Sequence, residues 1–189
     1  MTPPLRVLGI DPGSQVAGWG LVRRQGSVLT FEAGGALRPK RGLTFAQRLE
    51  CLHRELSVLI DEHRPDAFAI EAVFHAQHAR SALQLGHARG VLVLAAAQRD
   101  LAVHEYPPAT VKKAVTGSGS ADKEAVRKMV CLLLKAEIKG PLDTTDALAV
   151  AICHAQAGRL AGAGVGKARW DDLERRAERP LGRLKRRRG

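Results

Sequence analysis

Apolar residues recur at two different periods along this chain, and the switches between them mark out its elements. Near the start, residues 5–10, 18–22 and 27–36 carry short apolar runs separated by brief turn-forming stretches. That is the pattern of β-strands joined as an antiparallel meander. The period then lengthens. Phe45, Leu49, Leu52, Leu56 and Leu59 recur at steps of four, three, four and three, which puts them on one face of a helix over 44–63. Thr44 and Gln47 form a capping-box pattern at its start, and Pro65 stops it. The run 67–73 reads as a buried strand, followed by a helical stretch over 79–98. Ala82, Gly86 and Gly90 stand four apart on that helix. Such small residues allow another helix to approach closely, either within the monomer or across a dimer interface. A strand over 101–106 ends at Pro107-Pro108, and helices are predicted over 110–115, 121–135 and 143–156. Val126, Met129, Val130 and Leu133 are the apolar stripe of the second of these. The succession predicts an α/β fold with a mixed central sheet flanked by helices.

Composition adds a direction to this frame. The 189 residues allow one well-cored domain, expected over 1–157. From Gly158 the character changes: Gly158, Gly162, Gly164 and Gly166 interrupt the chain, and residues 158–189 read as a flexible basic tail ending in Lys185-Arg186-Arg187-Arg188. Residues 167–189 alone hold ten basic and four acidic residues. The whole chain has 30 Lys and Arg against 19 Asp and Glu, a net charge of +11, which suits a polyanionic partner such as nucleic acid. No stretch approaches the roughly 20 apolar residues of a membrane span, so no membrane association is expected. Cys51, Cys131 and Cys153 are far apart and form no CxxC pair, which argues against a disulfide framework or zinc cluster. Reduced thiols and the lack of a signal-peptide pattern point to the cytoplasm.

Four acids interrupt this apolar patterning. Asp11 ends the run Leu5-Arg6-Val7-Leu8-Gly9-Ile10, Glu71 lies within Ala69-Ile70-Glu71-Ala72-Val73, and Asp143 and Asp146 open the run Ala147-Leu148-Ala149-Val150. Each has an ordinary reading. Asp11-Pro12-Gly13 is good turn chemistry. Glu71 could be ion-paired at an edge. Asp143-Thr144-Thr145-Asp146 could be a helix N-cap with an acid in the first turn. Together they read differently, because isolated carboxylates are costly to bury and a shared divalent cation would satisfy several at once. Asp143 and Asp146 sit at one helix end and could reach one ion, a role compatible with capping. Oxygen ligands suit Mg²⁺ or Mn²⁺, and two such ions can clamp a phosphodiester for in-line attack. Lys112, Lys113 and Lys123, on either side of the loop Gly117-Ser118-Gly119-Ser120, are the cations that would keep such an acid cluster from repelling DNA.

The blocks Gly9-Ile10-Asp11-Pro12-Gly13-Ser14, Ala69-Ile70-Glu71-Ala72-Val73-Phe74, Ser81-Ala82-Leu83-Gln84-Leu85-Gly86-His87-Ala88-Arg89-Gly90 and Asp143-Thr144-Thr145-Asp146-Ala147-Leu148-Ala149 closely resemble the bacterial RuvC family of Holliday-junction resolvases. The resemblance runs in order from about Leu5 to His154. It implies an RNase H-like fold and a homodimer whose interface includes the helix with Ala82, Gly86 and Gly90. It implies Mg²⁺- or Mn²⁺-dependent cleavage of four-way DNA junctions by paired nicks in opposing strands, during recombination and repair. Asp11, Glu71, Asp143 and Asp146 would then be the metal-binding catalytic acids. Phe74 would stack near unpaired bases at the junction centre, and Lys112 and Lys123 would contact phosphates near the cut. Action with the RuvA–RuvB branch-migration complex is also implied. Ala72 departs from the Gln usual after the glutamate, and His75 stands where other residue types are common. His75 and His78 have HxxH spacing without an accompanying glutamate, and read as DNA-facing or surface histidines rather than a zinc site.

Two other classes account for part of the pattern. An actin-like ATPase shares a Gly-Ile-Asp-type opening, but it needs further phosphate loops, and Asp122 stands where a P-loop would have the glycine before Lys123. A non-catalytic junction binder explains the charge but leaves the four acids without a purpose.

Overall fold

The computed structural model describes residues 3–72, 79–138 and 141–160. Phe74, His75 and His78, the end of the strand expected over 67–73, and the chain from residue 161 lie outside them. Five strands, β1 (Leu5–Asp11), β2 (Ala17–Gln25), β3 (Val28–Leu37), β4 (Ala67–Glu71) and β5 (Val103–Tyr106), form one sheet in the order β3-β2-β1-β4-β5. The first three run antiparallel as the expected meander, while β1, β4 and β5 run parallel, so the sheet is mixed. Parallel neighbours need crossover connections, and helices α1 (Phe45–His63) and α2 (Ala79–Ala97) provide them. Helices α3 (Pro108–Thr116), α4 (Lys123–Leu134) and α5 (Leu142–Leu160) complete the chain.

Alternation along β1 assigns the two layers. Leu8 and Ile10 join Leu52, Leu56 and Ile60 of α1 and Leu92 and Ala96 of α2 in one core. Val7 faces the other side, packing with Val111, Val126, Val130 and Leu148 of α3, α4 and α5. Side chains of successive strand residues must leave opposite faces, so a single strand serves both cores.

The capping box forms as expected. The Gln47 backbone N–H donates to Thr44 Oγ1 at 3.3 Å, and the Thr44 N–H donates to Gln47 Oε1 at 2.9 Å. The buried face of α1 is rotated from the expected stripe: Cys51, Leu52, Leu56, Ser57 and Ile60 are buried, while Phe45, Leu49 and Leu59 are half-buried at its border. The leucines at its border, Leu49 and Leu59, pack against the same core from the side, so its apolar stripe is wider than one row of leucines. At the other end of the molecule, α5 begins at Leu142, which places Asp143 inside the first turn rather than at the cap. It also continues to Leu160, past the end expected at residue 156 and into the first residues assigned to the tail.

α5 lies unusually close to the sheet. A methyl group at Gly9 would stand 2.2 Å from the Ala147 carbonyl oxygen, and one at Gly18 would stand 2.0 Å from that of Asp143. Only hydrogen at these positions leaves room for the helix backbone. The Thr144 hydroxyl donates to the Gly35 carbonyl at 3.1 Å, and Arg24 Nη1 donates to the Ala155 carbonyl at 2.8 Å. Both ends of α5 are therefore held against the β2–β3 side of the sheet.

Candidate active site

Parallel pairing of β1 and β4 brings two acids to the same end of the sheet. Ile10 is opposite Ile70, so Asp11 and Glu71 follow side by side as the two strands finish. The first turn of α5, pressed onto β1 and β2, delivers Asp143 and Asp146 from above. Asp11, Glu71 and Asp146 line one cleft with Lys112, Lys123, Pro108, Val111, Val126 and Ala149. Its volume of about 160 Å³ has room for a few water-sized groups.

Electrostatics mark this as a strained arrangement. Burial pushes the Asp11 carboxyl up to about 7, and the neighbouring charges of Glu71, Asp146 and Asp143 push in the same direction. Burial likewise raises Glu71, with Asp146 adding to it and Lys123 and Lys112 opposing. Lys123 is held protonated chiefly by Asp146, whose Oδ2 lies 3.4 Å from its ammonium. Two buried carboxylates, Asp11 and Glu71, each raised by burial and by neighbouring acids, form a site that calls for more positive charge than two lysines supply. The donor set, all carboxylate oxygen, fits a hard divalent cation. Among the described residues no three such side chains close into a coordination sphere.

The lysines reach the cleft through local structure. Pro107-Pro108 starts α3, whose next turn carries Lys112 into the cleft. The Gly/Ser loop is braced by Thr116: its hydroxyl donates to the Lys112 carbonyl at 2.8 Å and accepts from the Ser118 N–H at 3.2 Å. Asp122, which spoils a P-loop reading, is the N-cap of α4 and accepts from the Ala125 N–H at 2.8 Å. Lys123 thus leaves the first turn of α4 toward Asp146. Lys113 is exposed on α3 and does not line the cleft. Asp143 is half-buried beside it, felt by Asp11 without being part of the lining.

On α2, Ala88, Leu92, Ala95 and Ala96 face the core. Gly86 and Gly90 are exposed, and a methyl group at either would meet nothing within 4 Å. Packing among the described residues therefore does not explain them. Leu83 and Leu94, 64% and 49% exposed, lie along the same outward face. Sequence reasoning did not find Tyr106 and His154, a hydrogen-bonded pair beneath the cleft. Neither belongs to a spacing motif, and only the sheet register brings them near the acids.

Fold and site together define a nuclease of RNase H-like architecture. The family model described as crossover junction endodeoxyribonuclease RuvC matches residues 7–154, which include all four acids and Lys112 and Lys123. The RuvC of Nitratidesulfovibrio vulgaris is 48% identical over 160 residues, covering 85% of this chain and 96% of that protein. That of Vibrio campbellii is 45% identical over 162 residues, covering 86% and 93%. The structure of Thermus thermophilus RuvC in complex with Holliday junction substrate superposes with a TM-score of 0.78 at 31% identity, covering 83% of this chain and 96% of that one. The chain belongs to the RuvC family of crossover junction endodeoxyribonucleases.

Proposed function

We propose that Asp11, Glu71, Asp143 and Asp146 are the acids with which this endonuclease cuts Holliday junctions, by binding two Mg²⁺ or Mn²⁺ ions. The family is one of metal-dependent nucleases, and the substrate of this chain is the four-way DNA junction. The observation that carries the residue assignment is the convergence of Asp11, Glu71 and Asp146 with two lysines in one cleft. Bound there, divalent ions would supply an activated water for in-line attack and neutralise the leaving 3′-oxygen.

The protein's own groups have separate tasks. Asp11 and Glu71 hold fixed positions because each ends a sheet strand, so the acids need little reorganisation during the reaction. Lys123 balances Asp146 and, with Lys112, offers ammonium groups to the phosphates flanking the cut. The exposed Lys113 would contact DNA outside the cleft. Phe74, three residues beyond Glu71, is the proposed stacking residue for unpaired bases at the junction centre. The outward stripe of α2, with Ala82, Gly86 and Gly90 beside exposed Leu83 and Leu94, is the proposed homodimer interface. A dyad there would place two clefts on one junction and account for paired nicks in opposing strands. Partnership with the RuvA–RuvB complex and a cytoplasmic location complete the proposal. Among the described residues, no helix is long and apolar enough to cross a membrane.

The test is a synthetic four-way junction beside a matched linear duplex, in Mg²⁺, Mn²⁺ or EDTA. Paired nicks on the junction alone, abolished by EDTA, are expected. Asp146→Asn should lower cleavage by about a hundredfold or more while junction binding persists. Cutting at the wild-type rate by that variant would remove Asp146 from the mechanism.

A further inference from the structure

The cleft's two halves are held by different means. Asp143 and Asp146 ride on α5, which is fixed to the β1–β3 side by close glycine packing and by Thr144 and Arg24. Glu71 sits on the opposite side, at the end of β4. Pairing with β1 sets it beside Asp11, and a second tie to α5 lies one strand further out. Tyr106 is paired with Glu71 in the parallel β4–β5 register, and its carbonyl accepts the Ala72 N–H at 2.9 Å, immediately beyond Glu71. Paired residues in a parallel ladder project to the same face. The Tyr106 ring accordingly packs in the α3–α5 core, where its hydroxyl lies 2.8 Å from His154 Nδ1 on α5. His104, two residues earlier on the same strand, stacks on His154 with ring centroids 4.2 Å apart.

Burial raises the Tyr106 hydroxyl to about 12 and lowers His154 to about 4, so both are neutral across the working range. The contact is thus a hydrogen bond between a neutral phenol and a neutral imidazole, its direction set by the His154 tautomer. A neutral, half-buried bond of this kind has fixed geometry and little sensitivity to salt. Its two ends belong to the strand beside Glu71 and to the helix that carries the other acids.

We propose that Tyr106 is a positioning residue: through its hydrogen bond to His154 it sets Glu71 against Asp143 and Asp146 and thereby tunes the divalent-metal affinity of the cleft. This rests on the reading that the four acids hold the metal. Tyr106→Phe keeps the ring and its packing and deletes only the hydroxyl. Mn²⁺ titration of the junction-free protein by calorimetry should find binding about tenfold weaker, the size typical of lost outer-sphere support. The Mn²⁺ dependence of junction cleavage should shift upward by the same factor. Junction binding in Ca²⁺ and the thermal unfolding midpoint should stay near wild type. His154→Phe should weaken Mn²⁺ binding similarly, and the double variant should lose no more than either single one. Wild-type Mn²⁺ affinity in Tyr106→Phe, additive losses in the double variant, or a lowered unfolding midpoint with unchanged Mn²⁺ affinity would each overturn the tie. Mn²⁺ binding that survives Asp146→Asn undiminished would instead overturn the metal assignment beneath it.

Discussion

Where α5 crosses the sheet, glycine makes room for a neighbour; along the outer face of α2, glycine stands with no neighbour among the described residues. Gly9 and Gly18 lie against the carbonyls of Ala147 and Asp143, at distances no side chain could share. Gly86 and Gly90 have open space within 4 Å of where a side chain would begin. Glycine in the middle of a helix or a strand lowers stability by about 0.5–1 kcal/mol relative to alanine, so both pairs carry a cost. For the first pair the return is visible inside the monomer: it is what allows a helix bearing two acids to reach two strands bearing a third. For the second pair no return is visible among the described residues, and the proposed dimer interface would supply one. Identical residues are thus explained by opposite surroundings.

Breaking the first half of this contrast should have the largest effect. Gly18→Val would drive a branched side chain into the α5 backbone, costing about 3 kcal/mol or more in urea unfolding, with cleavage lost as Asp143 is displaced. Unchanged stability would mean that α5 has room to spare. On the other side, Gly90→Leu should leave the isolated monomer as stable as wild type or up to about 1 kcal/mol more stable, because nothing described there is crowded and leucine is the better helix former. Sedimentation should nevertheless find the dimer dissociated, and cleavage should yield single rather than paired nicks. A dimer that persists would assign the α2 stripe to something else.

The smallest effect concerns the acid that close docking buries. The folded Asp11 carboxyl, at about 7, lies above its ordinary value of 3.8, so over that interval the metal-free fold holds a proton that the unfolded chain releases. Stability in EDTA should therefore fall as pH rises from about 4 through 7 and level off above. Asp11→Asn cannot ionise, so its melting temperature should match wild type near pH 4 and exceed it at pH 8. Adding Mn²⁺ at pH 8 should reverse the order, since only wild type gains from full ion binding. Parallel melting curves at every pH would show that Asp11 carries no such penalty.

The legible and illegible parts of this molecule divide along the range of the interactions involved. Thr44 and Gln47 announced the start of α1 because a capping box lies within one turn. The meander was readable because its turns are short. The acids stood out because carboxylates inside apolar runs are costly, and the extended blocks around them tied the chain to its family. Local patterning could not decide which leucines of α1 are fully buried and which sit at the border, because the stripe that packs against the sheet and α2 is broader than one row. It could not tell whether Asp143 caps α5 or lies within it, since the choice depends on where Gly18 lets the helix sit. Lys112 and Lys113 are equivalent in sequence, and only the packing of α3 turns one into the cleft and leaves the other outside. Tyr106 and His154, 48 residues apart, meet solely through the register of a parallel sheet.

The distribution of the acids along the chain also sets when the protein becomes dangerous to DNA. Asp11 is in the first strand, Glu71 in the fourth, and Asp143 and Asp146 in the last helix. At a synthesis rate of roughly 5–20 residues per second, the first strand waits on the order of ten seconds or more for α5 to leave the ribosome. Until then the groove over Gly9 and Gly18 is open, and a growing chain owns at most half of a cutting site. On the proposed assignment the site is complete only once α5 has docked, so a chain that stops short of α5 lacks two of the four acids.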